Sequence, residues 1–532
     1  MLNSKASIVA VVILFANSAL SLHSQSIDVE RDFRQAHVER PSDPPTKVDP
    51  QTVVAVPPSL VQFGGFISTQ VNVDKNGNNI VGDAANEPSL TMNPHNPDNM
   101  VIGWRQFDSI TSNFRQAGVG STFDGGQTWN NMGPLDAGVF RSDPVLDSDS
   151  TGRIFYYSLS TNDTFDEFFC DMFISEDGGV TWTDPIPAQG GDKQWIAIDR
   201  NGGPGDGFIY AMWNSFFSCC PSGYFTRSTD NGLNYLQPID TPPAIFWGTM
   251  DVGPDGELYI CGRDSGNLAG VIRSDNAQFS DVTPTFPQAV AIDLGGVNPF
   301  SEGPNPGGLL GQYDVATDHS NGPNRGNVYY LGTVRGADNT DPSDIMFARS
   351  LDGGINWEPA VRINADPPAA GKYNWFGTMS VAPCGRIDVI WNDMRDDTDG
   401  TMSALYYSFS DDAGVSWSDN VQVSPAFNSL IGHPNQNKIG DYYDMRSTDD
   451  AVHIAYSATF NGEQDVFYLQ IPATPGILIG DTNHDGEVNL LDVAPFVQVL
   501  SKAGFLCEAD INQDGFVNLL DVEPFVELLS GN

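Results

Sequence analysis

Five octets in this chain share one pattern: Thr122-Phe-Asp-Gly-Gly-Gln-Thr-Trp129, Ser175-Glu-Asp-Gly-Gly-Val-Thr-Trp182, Ser228-Thr-Asp-Asn-Gly-Leu-Asn-Tyr235, Ser350-Leu-Asp-Gly-Gly-Ile-Asn-Trp357 and Ser410-Asp-Asp-Ala-Gly-Val-Ser-Trp417. The physics is that of a tight hairpin. An Asp carboxylate can accept hydrogen bonds from backbone N–H groups of its own turn, and a Gly supplies positive φ. The closing aromatic opens the next strand and points inward. A sixth stretch, Ser274-Asp-Asn-Ala-Gln-Phe279, keeps the position but lacks the Gly. One octet is weak evidence, whereas five at regular spacing report a repeat architecture.

The segments between the octets read as short strands. Inner strands start near Glu87, Asp143, Gln194, Thr249, Tyr313, Gly377 and Tyr442, and each is followed by an apolar second strand. These seven units predict an all-β, seven-bladed β-propeller over residues 61–472, with six blades as the alternative. The seventh unit has a third strand, Asp465-Val-Phe-Tyr-Leu, but no octet and no fourth strand. An open edge there invites wrong pairing. The alternating stretch Gly65–Val73 is expected to supply the missing outer strand and close the ring.

The octet resembles the Asp-box (BNR) repeat of the sialidase superfamily. That resemblance implies that the five Asp residues mark the fold, on the face away from the active site. It puts the site on the opposite rim, where Arg105, Arg263, Arg335 and Arg395 each follow a second strand. An arginine cluster of this kind clamps a sugar carboxylate. Asp143, Asp393 and Tyr442 join it as candidate acid/base and nucleophile, since a Tyr nucleophile is the sialidase variant of glycoside hydrolysis. The implied function is an exo-sialidase-like glycoside hydrolase acting on a glycan or polysaccharide. Two departures weigh against it. The motif Phe/Tyr-Arg-Ile-Pro that precedes the first sialidase blade is absent, and Phe114-Arg115-Gln-Ala lies elsewhere in its unit. The same Arg and Asp residues also serve as structural ion pairs between blades in the blander reading. The alternative function is a non-catalytic glycan- or protein-binding propeller, because fold does not fix chemistry.

The tail carries a second repeat. Asp481, Asn483, Asp485, Asn489 and Asp492 occupy positions 1, 3, 5, 9 and 12 of one loop, and Asp510, Asn512, Asp514, Asn518 and Asp521 those of another. Glu487 and Phe516 stand at position 7, which offers a backbone carbonyl. This is the ligand spacing of an EF-hand-type Ca²⁺ loop. Each loop precedes an apolar helix whose face is expected to be Leu491, Val493, Phe496 and Val497 in one, and Leu520, Val522, Phe525 and Val526 in the other. Residues 480–532 resemble a type I dockerin, which implies two bound Ca²⁺ ions and a cohesin-like or cell-surface partner. Leu490-Leu491 and Leu519-Leu520 stand where small hydroxylated residues face cohesin in cellulosomal dockerins.

Charge and termini fix the setting. With 25 basic against 68 acidic residues, the net charge of −43 excludes nucleic acid as a partner. Residues 1–21 read as a secretory signal: Lys5, the apolar run Ile8–Phe15 and the small-residue motif Ala19-Leu-Ser21. That run is too short to span a bilayer, so no transmembrane anchor is expected. Residues 22–60 form a Pro-rich linker and 473–479 a second, short one. The setting is thus secreted, extracellular or cell-surface. Export permits disulfides. Cys170 is expected to pair with Cys219 or Cys220, whose loops lie on neighbouring blades.

Overall fold

The computed structural model describes residues 60–530, except 163, 165, 215–216, 221, 337–340, 474–478, 483–487, 503–506 and 513–516. The signal segment, most of the Pro-rich linker and the middle of each tail loop lie outside the described residues.

Seven sheets surround an axis. Their inner strands are Ala84–Asn93, Ser142–Ser148, Trp195–Ile198, Met250–Val252, Asp314–Thr317, Asn374–Val381 and Asp444–Ser447. Each pairs antiparallel with the strand that follows it, in meander order outward. Blade 3 has three strands and the others four or more. The ring closes as the sequence predicts. Phe66–Gln70 is the fourth strand of blade 7, with Ser68 opposite Leu469 and Gln70 opposite Phe467, and Leu60–Phe63 pairs outside it. Ser68 Oγ and Tyr456 Oη meet at 2.6 Å, and Val71 N donates to Val466 O at 2.8 Å.

The five octets have one geometry. In the first, Asp124 accepts from Thr128 N at 2.9 Å and Thr128 Oγ1 at 2.6 Å, while Gly126 N donates to Thr122 Oγ1 at 3.1 Å. Asp177, Asp230, Asp352 and Asp412 accept the same backbone N–H four residues on, at 2.8 Å. The Gly of each turn docks on a neighbouring blade. A Cβ on Gly126 would sit 2.1 Å from Tyr468 of blade 7, and one on Gly414 would sit 2.3 Å from Phe347 of blade 5. Trp129 packs on Tyr468 at 5.4 Å, and Trp417 on Phe347 at 5.0 Å. The motif therefore ends a hairpin and seals a blade junction at once.

Two expectations are corrected. Cys219 bonds to Cys220, while Cys170 is free and buried. The loop around Gly190 lies between them. Cys170 Sγ would lie 2.4 Å from a Cβ on Gly190, and Cys219 N donates to Gly190 O. In the tail, helices span Val493–Lys502 and Val522–Ser530. They pack through Phe496 and Phe525, whose rings lie 4.2 Å apart, with Val499, Leu500, Val522 and Leu529 beside them. Leu491 and Leu520 are instead 67% and 66% exposed, and Val497 and Val526 are also outside. The helical period explains this. With Phe496 inward, positions three and four residues on follow it, and Val497 falls off that face.

Gly126→Ala is expected to destabilise the propeller by about 1–3 kcal/mol, through overpacking and a strained positive φ. Gly65→Ala, with nothing within 4 Å of its added Cβ, should leave the melting temperature unchanged. A drop for Gly65→Ala equal to that for Gly126→Ala would break the argument. The turns also set an acid limit. At Asp352 the Asn356 N–H leads in stabilising the charge; at the other four burial opposes it and the hydrogen bonds overcome that. All five carboxyls are held below their ordinary value of 3.8. Their contribution is therefore complete above that value and lost as pH falls through the lowered ones. Thermal scans from pH 5 downward should show the propeller transition falling.

Candidate functional site: the rim and the axial cavity

Near the upper end of every inner strand one residue has positive φ: Glu87, Asp143, Lys193, Trp247, Gly311, Phe376 and Gly440. Five of the seven are not glycine, so the conformation is strained and repeated around the ring. On blades 7, 1, 2 and 3 it gathers a buried ionic network. Glu87 meets Arg105 at 3.1 Å and Lys438 at 3.3 Å. Asp441 holds Lys438 and Lys193, each at 2.7 Å, and Lys193 reaches Asp143 at 3.1 Å. Burial pushes Glu87 up to about 8 despite Arg105. It opposes ionisation of Asp143 too, but Lys193 and then Arg105 hold that carboxyl well below its usual range. Tyr442 donates to Pro144 O at 2.8 Å, and burial raises its hydroxyl well above the ordinary value.

The fold thus brings Arg105, Asp143 and Tyr442 into one region. The other arginines have separate partners. Arg263 is buried among Trp247, Phe246 and Phe300, 4.1 Å from the Trp247 ring, and burial pushes it down to about 10. Arg335 pairs with Glu302. Arg395 binds Asp393 at 2.6 Å and lies over Tyr406 at 4.2 Å. The hairpin Phe300–Glu302/Asn305–Leu309 crosses to blade 7: Asn305 Nδ2 donates to Gly440 O at 2.8 Å and Leu309 N to Asp441 Oδ1 at 2.7 Å. It covers the network, whose side chains are almost wholly inaccessible.

Open space lies along the axis instead. A cavity of about 380 Å³ runs between the inner strands, from Gly311, Phe376, Trp195 and Tyr442 at its inner end to Arg200, His319, Pro383 and Ser447 at the other. The latter residues end inner strands, so the mouth faces the Asp-box side. Its wall is polar. Asp314 accepts from Thr249 Oγ1 at 2.9 Å and Met379 N at 2.8 Å, and burial pushes its carboxyl up to about 7. Arg446 Nη1 donates to Asp444 Oδ1 at 2.7 Å, and Arg200 Nη1 to Asp147 Oδ1 at 2.5 Å. Gln312 is buried in this wall, and neither its amide oxygen nor its nitrogen has a hydrogen-bond partner. Carboxylates, guanidinium, an amide and aromatic rings together match the groups that hydrogen-bond sugar hydroxyls and stack on sugar faces. Sequence reading identified these inner strands but not their axial side chains. The cue was present, since Asp147, Asp251 and Asp444 each stand four residues after the positive-φ residue of their blade.

In the tail, Asp492 Oδ2 accepts from Asn489 N at 2.9 Å, and Asp521 Oδ2 from Asn518 N at 2.7 Å. The two loops are therefore built alike. Asp481, Asp492 and Asp521 are fully buried and Asp510 nearly so. Asn512 is described as well, while Asn483, Asp485, Glu487, Asp514 and Phe516 lie outside the described residues.

Residues 479–524 match the family described as Dockerin type I domain. No curated protein matches the chain. Among solved structures, a protein of unknown function from Dyadobacter fermentans is 13% identical, with 76% of this chain and 97% of that one covered, at a TM-score of 0.42. An α-L-arabinofuranosidase from Fusarium graminearum is 12% identical, covering 73% and 93%, at 0.38. Trypanosoma rangeli sialidase is 13% identical, covering 83% and 63%, at 0.35. No activity is carried over from any of them.

The donor set of the dockerin module fits calcium. Its carboxylates are buried, yet residues 479–530 hold one lysine, Lys502, and no arginine to neutralise them. Asp481, Asn489 and Asp492 would hold one ion, and Asp510, Asn518 and Asp521 the other. Replacing Asp492 and Asp521 together by Ala in the full chain is expected to lower bound calcium by about two ions per chain, read by isothermal calorimetry. An unchanged stoichiometry would refute this assignment.

Proposed function

We propose that this chain is an exported glycan-binding propeller whose dockerin tail attaches it to a cohesin-type partner outside the cell. The observation that carries the glycan reading is Gln312. A buried amide with no partner on either atom, in the wall of a sugar-sized cavity, is a polar group awaiting a ligand. Arg446, Asp444 and Asp314 converge on the same space. The rim arginines do not gather into one clamp, which supports the axial reading: Arg105, Arg335 and Arg395 are paired with Glu87, Glu302 and Asp393, while Arg263 lies against the Trp247 ring with its Nε and Nη1 unbonded.

Hydrolysis is the second reading, favoured by one observation. Asp314 sits beside Asp444 and Arg446 with its carboxyl pushed up to about 7 by burial. Such a group retains a proton near neutrality and suits general acid catalysis. On that reading turnover falls as pH rises through about 7, because Asp314 ionises.

Binding of the full chain to neutral and acidic polysaccharides separates these readings. Gln312→Ala is expected to weaken binding at least about tenfold, which is about 1.4 kcal/mol, and Arg395→Glu to leave it unchanged. The converse pair of results would return the site to the upper rim. Released reducing sugar that disappears in Asp314→Asn, with binding retained, would make the protein a hydrolase. No turnover in the unaltered chain would leave it a binding module.

A further inference from the structure

Where the ring closes, blades 7 and 1 bring together acidic side chains that face no lysine or arginine. Asp83 precedes the inner strand of blade 1, Glu463 and Asp465 lie at the turn into the third strand of blade 7, Gln70 ends the closing strand and Asn72 follows just beyond it. Asn72 Nδ2 donates to Asp465 Oδ1 at 2.7 Å and to Asp83 Oδ2 at 3.4 Å, so the two carboxylates share one amide group. Glu463 accepts from Gly82 N at 2.5 Å and from Asn79 Nδ2 at 3.3 Å. Asp465 also accepts from Asn461 Nδ2 at 2.6 Å. Asp83 is only 5% exposed and Asp465 not at all, yet no ion pair among the described residues involves either. Arg105 and Lys438, the bases of the adjoining network, are engaged with Glu87 and Asp441.

A second observation points into this cluster. Asp83 Oδ1 and Gln70 Oε1 are buried acceptors with no donor. Gln70, 1% exposed, spends its Nε2 on Asn79 Oδ1 at 2.5 Å. Two buried carboxylates sharing one donor repel, and burial alone costs several kcal/mol per uncompensated ion. Some positive charge must enter. A proton is one candidate: burial and the Asp465 charge raise Asp83 well above the ordinary value, and burial pushes Asp465 to about 7. Charge distinguishes the two, since one proton neutralises one carboxylate and leaves the others of Asp83, Asp465 and Glu463 facing each other, whereas a divalent cation offsets two and can take the free Asp83 Oδ1 and Gln70 Oε1 as ligands. Among the described residues no three carboxylate, His or Cys side chains form a metal-ligating group, so a cation here would need the free Gln70 amide oxygen beside the aspartates. Carboxylate plus amide oxygens is the set preferred by a hard divalent cation.

We infer that the blade 7–blade 1 seam is a calcium site, held by Asp83, Asp465 and the Gln70 amide oxygen with Glu463 beside them, and that the ion fastens the ring closure. The ion would bridge the first blade to the last and to the strand between them.

The test uses the full chain. With the tail loops disabled by Asp492→Ala and Asp521→Ala, one calcium per chain should still bind at pH 7. Calcium at a hundredfold excess over its dissociation constant should raise the propeller melting temperature by roughly 2–5 °C. Adding Asp83→Asn and Asp465→Asn, which keep shape and remove charge, should abolish both effects. A propeller transition that ignores calcium in the tail-disabled chain overturns the inference. So does calcium uptake that survives the two Asn substitutions. Should the Asn variant fail to fold, the calcium dependence of the tail-disabled chain decides alone. A melting temperature that responds to pH but not to calcium there assigns the seam to a proton and refutes the site.

Discussion

Neighbouring inner strands of a propeller splay apart, and few backbone hydrogen bonds join one blade to the next; here Tyr313 N donates to Trp247 O and Ala85 N to Gln464 O. Side chains make most of the connection. A carboxylate or hydroxyl on one inner strand accepts the backbone N–H of the next: Ser89 from Leu146, Asp147 from Ile198, Asp251 from Thr317, Asp314 from Met379, Ser380 from Ser447 and Asp444 from Leu90. Charge-assisted bonds of this kind are stronger than neutral ones. At the junction of blades 3 and 4 the inner strand Trp195–Ile198 is apolar, and Asn201 bridges to Gly253 O instead. Both the ring and the polar character of its axis follow from this belt. The carboxylates that hold the blades together also line the cavity.

The two faces divide labour accordingly. At the upper end, strained backbone turns acids and bases toward each other and a hairpin seals them in. Such a network stabilises little in itself, because desolvation offsets attraction, but removing one member would strand its partners. At the other end the axis stays open, and Asp-box turns close the outer margins of the blades. Aromatic residues from these turns fill the wedges between sheets.

Much of this was legible in the residues. The octets announced the repeat because Asp, Gly and Trp each have a local duty that composition alone cannot hide. Ring closure by Gly65–Val73 was legible because blade 7 lacked a strand and one alternating stretch was left over. The candidate site was less so. Arg105, Asp143 and Tyr442 converge as expected of one rim, whereas Arg263, Arg335 and Arg395 are drawn to partners on their own blades or on the Phe300–Leu309 insertion. An insertion carries no period that tells where it folds back. The tail helices show a smaller version of the problem. Apolar residues are frequent enough to draw two plausible faces, and contact between Phe496 and Phe525 selects one.

Closure has a temporal side. Ser68 and Leu469 are neighbours in the sheet but about 400 residues apart in the chain. The hairpin of Leu60–Phe63 and Phe66–Gln70, first to emerge in synthesis, must wait for nearly the last strand. Until then one edge of Phe66–Gln70 is bare, open to wrong partners, and loop-closure entropy opposes its capture. Blades 1 to 6 can form locally in sequence, whereas blade 7 is a record of the whole chain having arrived. A propeller built this way reports its own completeness, since a truncated product holds an unfinished sheet and stays exposed to proteases.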